Sequence, residues 1–312
     1  MSTATAPRPA APAAASPAKP PKPPRRARKR RPVESGEGVY APTVLTRLGL
    51  LAVAALSIFP LYWMIVIAST TTANAAGFPP ALLPGPNLLT NLEQALTDPE
   101  ANLLLGLRNS MIITGIVTFS VVLISTLGGF AFAKLRFRGS KVLMGTVLFS
   151  MMVPLQQLGI VPLYIVMVEL QWLDTLQAVI LPFLINGFGI FMMRQYVEQA
   201  VPDEIIEAAR IDGATTLGIW WRIVLPALRP AMVVLALLTF MLNWNEFLWP
   251  FMVLSGENPT IQLAIRQLST ATWSADLSMI FTGTLISIIP IAILFVVFGR
   301  QIVSGIMEGS SK

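Results

Sequence analysis

The chain has no cysteine and no histidine in its 312 residues. Without cysteine there is no disulfide framework, no thiolate nucleophile and no thiolate for a zinc site. Without histidine there is no imidazole base, no imidazole metal ligand and no histidine proton relay. Charge is also scarce. Asp, Glu, Lys and Arg make up 12% of the residues, against about 25% in a soluble domain. The phosphate-binding sequence G-x-x-x-x-G-K-[ST] is missing as well, so no nucleotide-hydrolysing loop of that type is expected here.

What is present is apolar. Hydrophobic residues account for 54% of the chain and the mean hydropathy is +0.68, the composition of an integral membrane protein. The net charge of +6 could suggest nucleic acid, but residues 1–47 carry ten Lys and Arg against Glu34 and Glu37, leaving the remainder near −2. The basic character therefore belongs to a tail, and no nucleic-acid partner is expected. Residues 1–42 are rich in Pro, Ala, Lys and Arg, with the run Arg25-Arg26-Ala27-Arg28-Lys29-Arg30-Arg31. Such a segment cannot bury apolar surface and reads as a disordered tail. It does not read as a cleavable signal peptide, and its charge suits a cytoplasmic N-terminus touching anionic lipid headgroups.

A spanning helix needs roughly 20 mostly apolar residues. Six windows in residues 43–312 qualify, at about 44–68, 109–133, 142–168, 175–193, 230–254 and 277–299. The fold class expected is an all-α membrane protein of six transmembrane helices. Pro154, Pro162, Pro182 and Pro290 fall inside these windows and predict kinks. Loop 69–106 holds Glu93, Asp98 and Glu100 but no base, whereas Lys134–Lys141 is strongly basic. Loop 169–174 holds Glu169 and Asp174, loop 194–229 holds four arginines, and 255–277 has Arg266 alone. Positive-inside bias puts both termini and the loops at 134–141 and 194–229 in the cytoplasm of a multi-pass protein of the plasma (inner) membrane.

The loop at about 200–226 is the most informative stretch. Pro202, Asp203 and Glu204 suit a helix start, and Gly213 suits its end. Thr215 or Thr216 suits the cap of a second helix through Trp220, Trp221 and Ile223, stopping where Pro226 begins the next span. Glu207-Ala208-Ala209 followed by Asp212-Gly213, then Ile223, Leu225 and Pro226, gives a charged, small-residue helix between apolar runs. Small residues allow close approach to a partner, and Glu207 can pair with an arginine there. Ile205, Ile206, Trp220 and Trp221 would form an apolar patch that calls for a cover. A docking partner or the lipid surface can supply it, the latter making an interfacial amphipathic hairpin.

Polar residues within the windows are candidates for a hydrophilic path: Gln156, Asn186, Asn243 and Asn245, with Asn109, Ser110, Thr114, Thr118 and Gln157 beside them. Each can equally hold helices together. Glu246 lies 17 residues beyond Arg229, about 25 Å along a continuous helix. That depth favours a structural or mouth-lining role over a central proton relay.

Five segments in order carry a family resemblance: FAFAKLRFRG at Phe130–Gly139, MMVPLQQLGIVP at Met151–Pro162, Leu181-Pro182 with FMMRQ at Phe191–Gln195, IIEAARIDG at Ile205–Gly213, and NWNEFLWP at Asn243–Pro250. Over roughly residues 40–312 the chain resembles permeases of ATP-binding-cassette (ABC) importers of the carbohydrate-uptake branch, and is similar to the second, six-span permease of the maltose importer. The resemblance implies a type I importer permease fold in which the EAA loop couples to an ATPase. It also implies a transport subunit rather than an enzyme. The implied partners are a second permease in a heterodimer, two ATPase subunits and an extracytoplasmic sugar-binding protein. ATP and magnesium belong to the ATPase, and no cofactor or metal is expected on this chain. Glu207 is the implied contact to the ATPase cleft, and the loop Leu254–Leu277, with Gln262 and Trp273, the implied contact to the binding protein. The long N-terminal tail and the ending Gly305–Gly309 depart from the family pattern. The expected cargo is a di- or oligosaccharide, with a polyol or glycerophospho-compound as the alternative. An ion-coupled secondary transporter fits less well, because no ionisable residue falls near a midplane.

Overall fold

The structure is a computed structural model that describes residues 44–75, 77–78, 81–152, 159–270 and 276–310, with the main chain alone for Thr72, Thr270 and residues 300–310. Among the described residues every regular element is helical. The chain divides into two units, Met1–Ala55 and Leu56–Lys312. In the first, residues 44–55 form an exposed apolar helical segment. The second holds everything that follows.

Helix α1 (Val44–Ala68) carries Pro60 inside it and ends in a polar clamp. There the Asn91 side chain donates to the carbonyls of Ala68 (2.8 Å) and Thr70 (2.9 Å), bringing α2 (Leu88–Thr97) against the end of α1. Helix α3 (Leu103–Lys134) has 32 residues, about 48 Å of helix, and is the central post. Short helices α4 (Ser140–Met152) and α5 (Ile160–Glu169) follow, then α6 (Leu176–Ile180) with a 3₁₀ turn at Leu181–Phe183. Helix α7 (Gly187–Ala200) packs along α3, and the contact is close because glycine makes it so. A Cβ on Gly129 would stand 2.7 Å from the Arg194 backbone nitrogen, and one on Gly189 would collide with the Ser125 hydroxyl.

The chain continues through α8 (Asp203–Ile211), α9 (Thr216–Ile219) with a π turn at Trp220–Val224, and α10 (Arg229–Trp244). It ends in α11 (Leu248–Val253), α12 (Ile261–Thr270) and α13 (Leu277–Ser310). One apolar core runs through α3, α7, α8, α9 and α10 and contains Met193, Val197, Ile206, Trp220, Val224 and Leu235. A second joins α3, α10, α12 and α13 around Trp244, whose indole N–H donates to the Ser287 carbonyl at 3.1 Å.

Among the described residues three helices are long and apolar enough to cross a membrane: Val44–Ala68, Leu103–Lys134 and Leu277–Gly299. Two bent pairs raise this to as many as five if each counts as one span, at 40° between Leu176–Phe183 and Gly187–Ala200 and at 79° between Thr216–Ala227 and Arg229–Trp244. The remaining window, 142–168, holds α4 and α5 and includes residues 153–158, which lie outside the described residues with Pro154, Gln156 and Gln157.

Two windows differ from the single helices expected of them. Window 175–193 is broken before Gly187, because Pro182 lacks a backbone donor and Asn186 takes an extended conformation to cap α7. Window 230–254 holds two helices, since α10 stops at Trp244 and α11 starts at Leu248. Glu246 therefore lies in the turn between them, not along a continuous helix, and its carboxylate accepts the Trp249 amide at 3.2 Å.

Candidate functional site

Helix α8 begins where Pro202 sits in extended backbone (φ −59°, ψ 148°), so Pro202 is the residue before the first helical position and Asp203 opens the helix. Asp203 and Glu204 in the first turn complement the positive end of the helix dipole. The Lys134 ammonium at the end of α3 donates to Asp203 Oδ1 at 2.6 Å. It holds that carboxyl below its usual range, first through the hydrogen bond and then through charge, with Arg136 adding to the effect and desolvation opposing it.

The far end of α8 is closed by Gly213, at φ +79°. The Gly213 amide donates to the Arg210 carbonyl (3.0 Å) and the Ala214 amide to the Ala209 carbonyl (2.9 Å). This pairing of bonds around a left-handed glycine is a Schellman closure. Thr215 then caps α9, its hydroxyl accepting from the Gly218 amide at 3.1 Å. The second limb does not stop at Pro226. It passes through the π turn, continues over Leu225–Ala227 and bends at Leu228, where the next helix begins at Arg229.

The helix pair has one face in the core and one outside. Ile206 (3% exposed) and Trp220 (4%) are buried, whereas Ile205 (47%) and Trp221 (62%) are exposed. The expected patch of all four side chains is thus halved: neighbouring residues on a helix point about 100° apart, so one of each adjacent pair turns inward. Ala209, Ile223 and Leu225 are half-buried, while Glu207, Ala208, Asp212, Gly213 and Pro226 are exposed. Glu207 and Ala208 share the outer surface with Ile211, Leu217 and Trp221. Among the described residues Glu207 has no ion pair. An exposed carboxylate beside Ala208 and Ile211, with Glu204 and Arg210 exposed one turn to either side, suits a groove carrying a cation.

The candidate path residues are engaged locally. Asn186 accepts from the Phe188 amide at 2.8 Å. Asn243 and Asn245 donate to the carbonyls of Thr239 and Met241, each at 2.8 Å. Gln262 donates to the Trp244 carbonyl at 3.3 Å, closing the end of α10. Gln156 and Trp273 lie outside the described residues. Among the described residues, Asn186, Asn243, Asn245 and Gln262 share no hydrogen bond with one another. Asn109 and Ser110 are buried and clasp the start of α12: Asn109 donates to Asn258 Oδ1 and the Pro259 carbonyl, both at 2.9 Å, and the Ser110 hydroxyl accepts from the Ile261 amide at 2.9 Å.

Two relationships escaped sequence reasoning. One is Lys134–Asp203, whose only local signal is a lone base ending an uncharged run. The other is Asp174, whose carboxylate accepts both the amide and the hydroxyl of Ser255 at 2.9 Å while its carbonyl accepts from Asn258. Asp174 holds a positive φ of 59°, a conformation that Asp tolerates better than most residues and that no sequence pattern announces. A groove of about 640 Å³ between α3, α10 and α13 is lined by apolar side chains, with Thr118 and Arg229 its only polar ones among the described residues. That lining is too poor in hydrogen-bonding groups to hold a sugar by itself.

A family of proteins described as the binding-protein-dependent transport system inner membrane component matches residues 124–304, which include α7, the helix pair and α10. The chain belongs to this family. It is an ABC importer permease, and its relatives span nearly its whole apolar part. The permease is 32% identical over 270 residues to the arabinooligosaccharides transport system permease protein AraQ of Halalkalibacterium halodurans, covering 86% of this chain and 96% of the relative. It is 32% identical over 260 residues to the lactose transport system permease protein LacG of Rhizobium radiobacter, covering 83% and 92%. The sn-glycerol-3-phosphate transport system permease protein UgpE of Yersinia pestis is 28% identical over 259 residues, covering 81% and 92%. A crystal structure of a bacterial ABC transporter involved in the import of the acidic polysaccharide alginate has a chain of the same fold, with TM-score 0.72 and 22% identity, covering 83% of this chain and 95% of that one.

Proposed function

We propose that this permease carries a di- or oligosaccharide inward as one half of a heterodimeric translocation path, driven by ATP hydrolysis on separate ATPase subunits. The helix pair 203–227 is the docking element, on the cytoplasmic side with both termini. Glu207 enters the ATPase cleft, Ala208 and Ala209 permit close approach, and Asp212 and Gly213 shape the exit from the helix. Ile223, Leu225 and Pro226 carry the second limb back toward the membrane. ATP and magnesium act on the ATPase. A sugar-binding protein delivers cargo on the opposite side, near the loop that holds Gln262 and Trp273, and Gln156, Asn186, Asn243 and Asn245 are the polar groups proposed for the path.

The observation that carries this reading is the two-sidedness of α8. Ile206 is buried in the core while Glu207 and Ala208 are exposed beside Ile211. Exposed Ile205 and Ile211 suit a lipid cover as well as a partner, but a helix that served only to cover lipid would be expected to keep an acid such as Glu207 away from anionic headgroups. The oligosaccharide reading is supported by the arabinooligosaccharide and lactose relatives. A second reading, a glycerophospho-compound, is supported by the glycerol-3-phosphate relative.

The test is purification with the neighbouring permease and ATPase, followed by reconstitution with the binding protein. Wild type should retain the ATPase and take up sugar, and Glu207→Ala should lose both while inserting normally. Full ATPase retention in Glu207→Ala and Gly213→Pro would rule against docking. Ligand binding by the associated binding protein separates oligosaccharide from glycerophosphodiester and glycerol phosphate.

A further inference from the structure

Lys134 is the last residue of α3, and its side chain is only 7% exposed although it carries a full charge. An ammonium so withdrawn from water needs a partner. Its partner is Asp203 Oδ1 at 2.6 Å, the first residue of α8, whose own side chain is 76% exposed. The base thus reaches up from beneath the helix and the acid caps it at the surface. Moving the start of α8 away from α3 would strip the ammonium of its counter-charge.

The surroundings make this pair more than a surface contact. Helices α3 and α7 are already in tight register, with Gly129 against the Arg194 backbone and Gly189 against Ser125. Helix α7 runs into α8 through Val201 and Pro202 alone, and Val201 is buried. The start of α8 is therefore held from two directions, covalently by α7 and electrostatically by α3. The second limb of the pair behaves differently, because it meets α10 across a 79° bend at Leu228. The start of α8 is thus joined directly to α3 and α7, whereas the second limb meets α10 only across that bend.

We propose that Lys134 and Asp203 are positioning residues for coupling, fastening the docking helix to α3 so that α3, α7 and α8 move as one body. The inference rests on the docking role of α8 and adds a separate element to it: Glu207 makes the contact with the ATPase, and the Lys134–Asp203 pair transmits its displacement. The pair touches neither cargo nor nucleotide.

The experiment uses the complete transporter, reconstituted in vesicles with its binding protein and sugar, and reads sugar molecules moved per ATP hydrolysed. Asp203→Asn, Lys134→Met and the double variant Lys134→Met/Asp203→Asn are compared with Asp203→Glu, which keeps the ion pair. The double variant leaves no buried unpaired charge and so keeps a folded form available for measurement. In the three variants that lack the ion pair the ATPase subunits should remain bound while sugar moved per ATP falls about two- to fivefold, the range set by an ion pair with one exposed partner. Asp203→Glu should stay near wild type. An unchanged ratio in Asp203→Asn and the double variant would overturn the proposal. Loss of the ATPase subunits from the double variant would overturn it too, because the pair would then serve docking itself. Glu207→Ala, run beside them, reports on the docking role alone: if it retains the ATPase, docking fails whatever the pair does.

Discussion

The amide of Ala214 donates to the carbonyl of Ala209 at 2.9 Å, across the left-handed turn at Gly213. That bond explains the spacing of the EAA segment. The second alanine supplies the acceptor three residues before the helix ends at Asp212, and glycine follows at the first position past the end. An L side chain at Gly213 would be strained in this conformation.

Gly213→Ala should therefore destabilise the permease by about 1 kcal/mol, the left-handed penalty of an L residue. Gly213→Asn should cost less, since Asn tolerates this region. Thermal melts of the solubilised protein give the comparison, and equal midpoints for Ala and Gly would show that the turn relaxes freely.

Asp174→Ala should loosen residues 254–258. It removes the acceptor of two hydrogen bonds from Ser255 while leaving its own backbone bonds to Val253 and Asn258 available. Each bond contributes about 1 kcal/mol, so amide exchange at Ser255 should accelerate by at least about fivefold. Exchange in α7, which shares none of these bonds, should not change.

Gly129→Leu should disrupt the contact between α3 and α7. Even a Cβ there lies 2.7 Å from both Arg194 N and Met193 Cβ, and backbone cannot yield as a flexible side chain does. Overpacking of this kind costs about 1–3 kcal/mol, and a lowered melting temperature with reduced membrane yield would register it. Gly145→Leu is the control, because nothing lies within 4 Å of its Cβ position.

The stability contributed by Asp203 should be insensitive to pH across the neutral range. Its carboxyl pKa is lowered from an ordinary value of 3.8, chiefly by the hydrogen bond from Lys134. A depressed carboxyl stabilises the fold above the unfolded pKa and loses that contribution only as pH falls through the folded one. The difference in melting temperature between wild type and Asp203→Asn should stay constant from pH 7 to about 5, above the range where an ordinary Asp titrates, and shrink below 3.8. A difference that disappears already near pH 6 would assign it to another group.

The boundaries of α8 and the C-terminal end of α3 were legible because local chemistry sets them, whereas α3 begins at Leu103, ahead of the expected window and with Arg108 inside it. Asp203 and Glu204 favour a helix start, Gly213 an end, and the window between Arg108 and Lys134 has no charge to interrupt it. The breaks at Asn186 and after Trp244 were not. Asparagine in an apolar window can line a path, join two helices or bond to its own backbone, and only coordinates distinguish these. Here Asn186 caps α7, and Asn243 and Asn245 bond back one turn to Thr239 and Met241. The Asp174–Ser255 and Lys134–Asp203 contacts join residues 81 and 69 positions apart, beyond the reach of any local pattern.

Sequence alone determined the membrane character, the absence of thiol, imidazole and P-loop chemistry, the position of the helix pair and the family. All but the family follow from composition or from short-range spacing, and the family follows from resemblance to known permeases over most of the chain. Tertiary structure decided which way the pair faces. Ile205 and Ile206 are identical neighbours, equally apolar and equally suited to a core, yet only Ile206 is buried. Hydrophobicity cannot choose between them. The choice is made by the rotation of α8 about its axis, which is set by packing on the core at Ile206 and Ala209 and by the Lys134 ion pair at its first residue. That same rotation turns Glu207 outward.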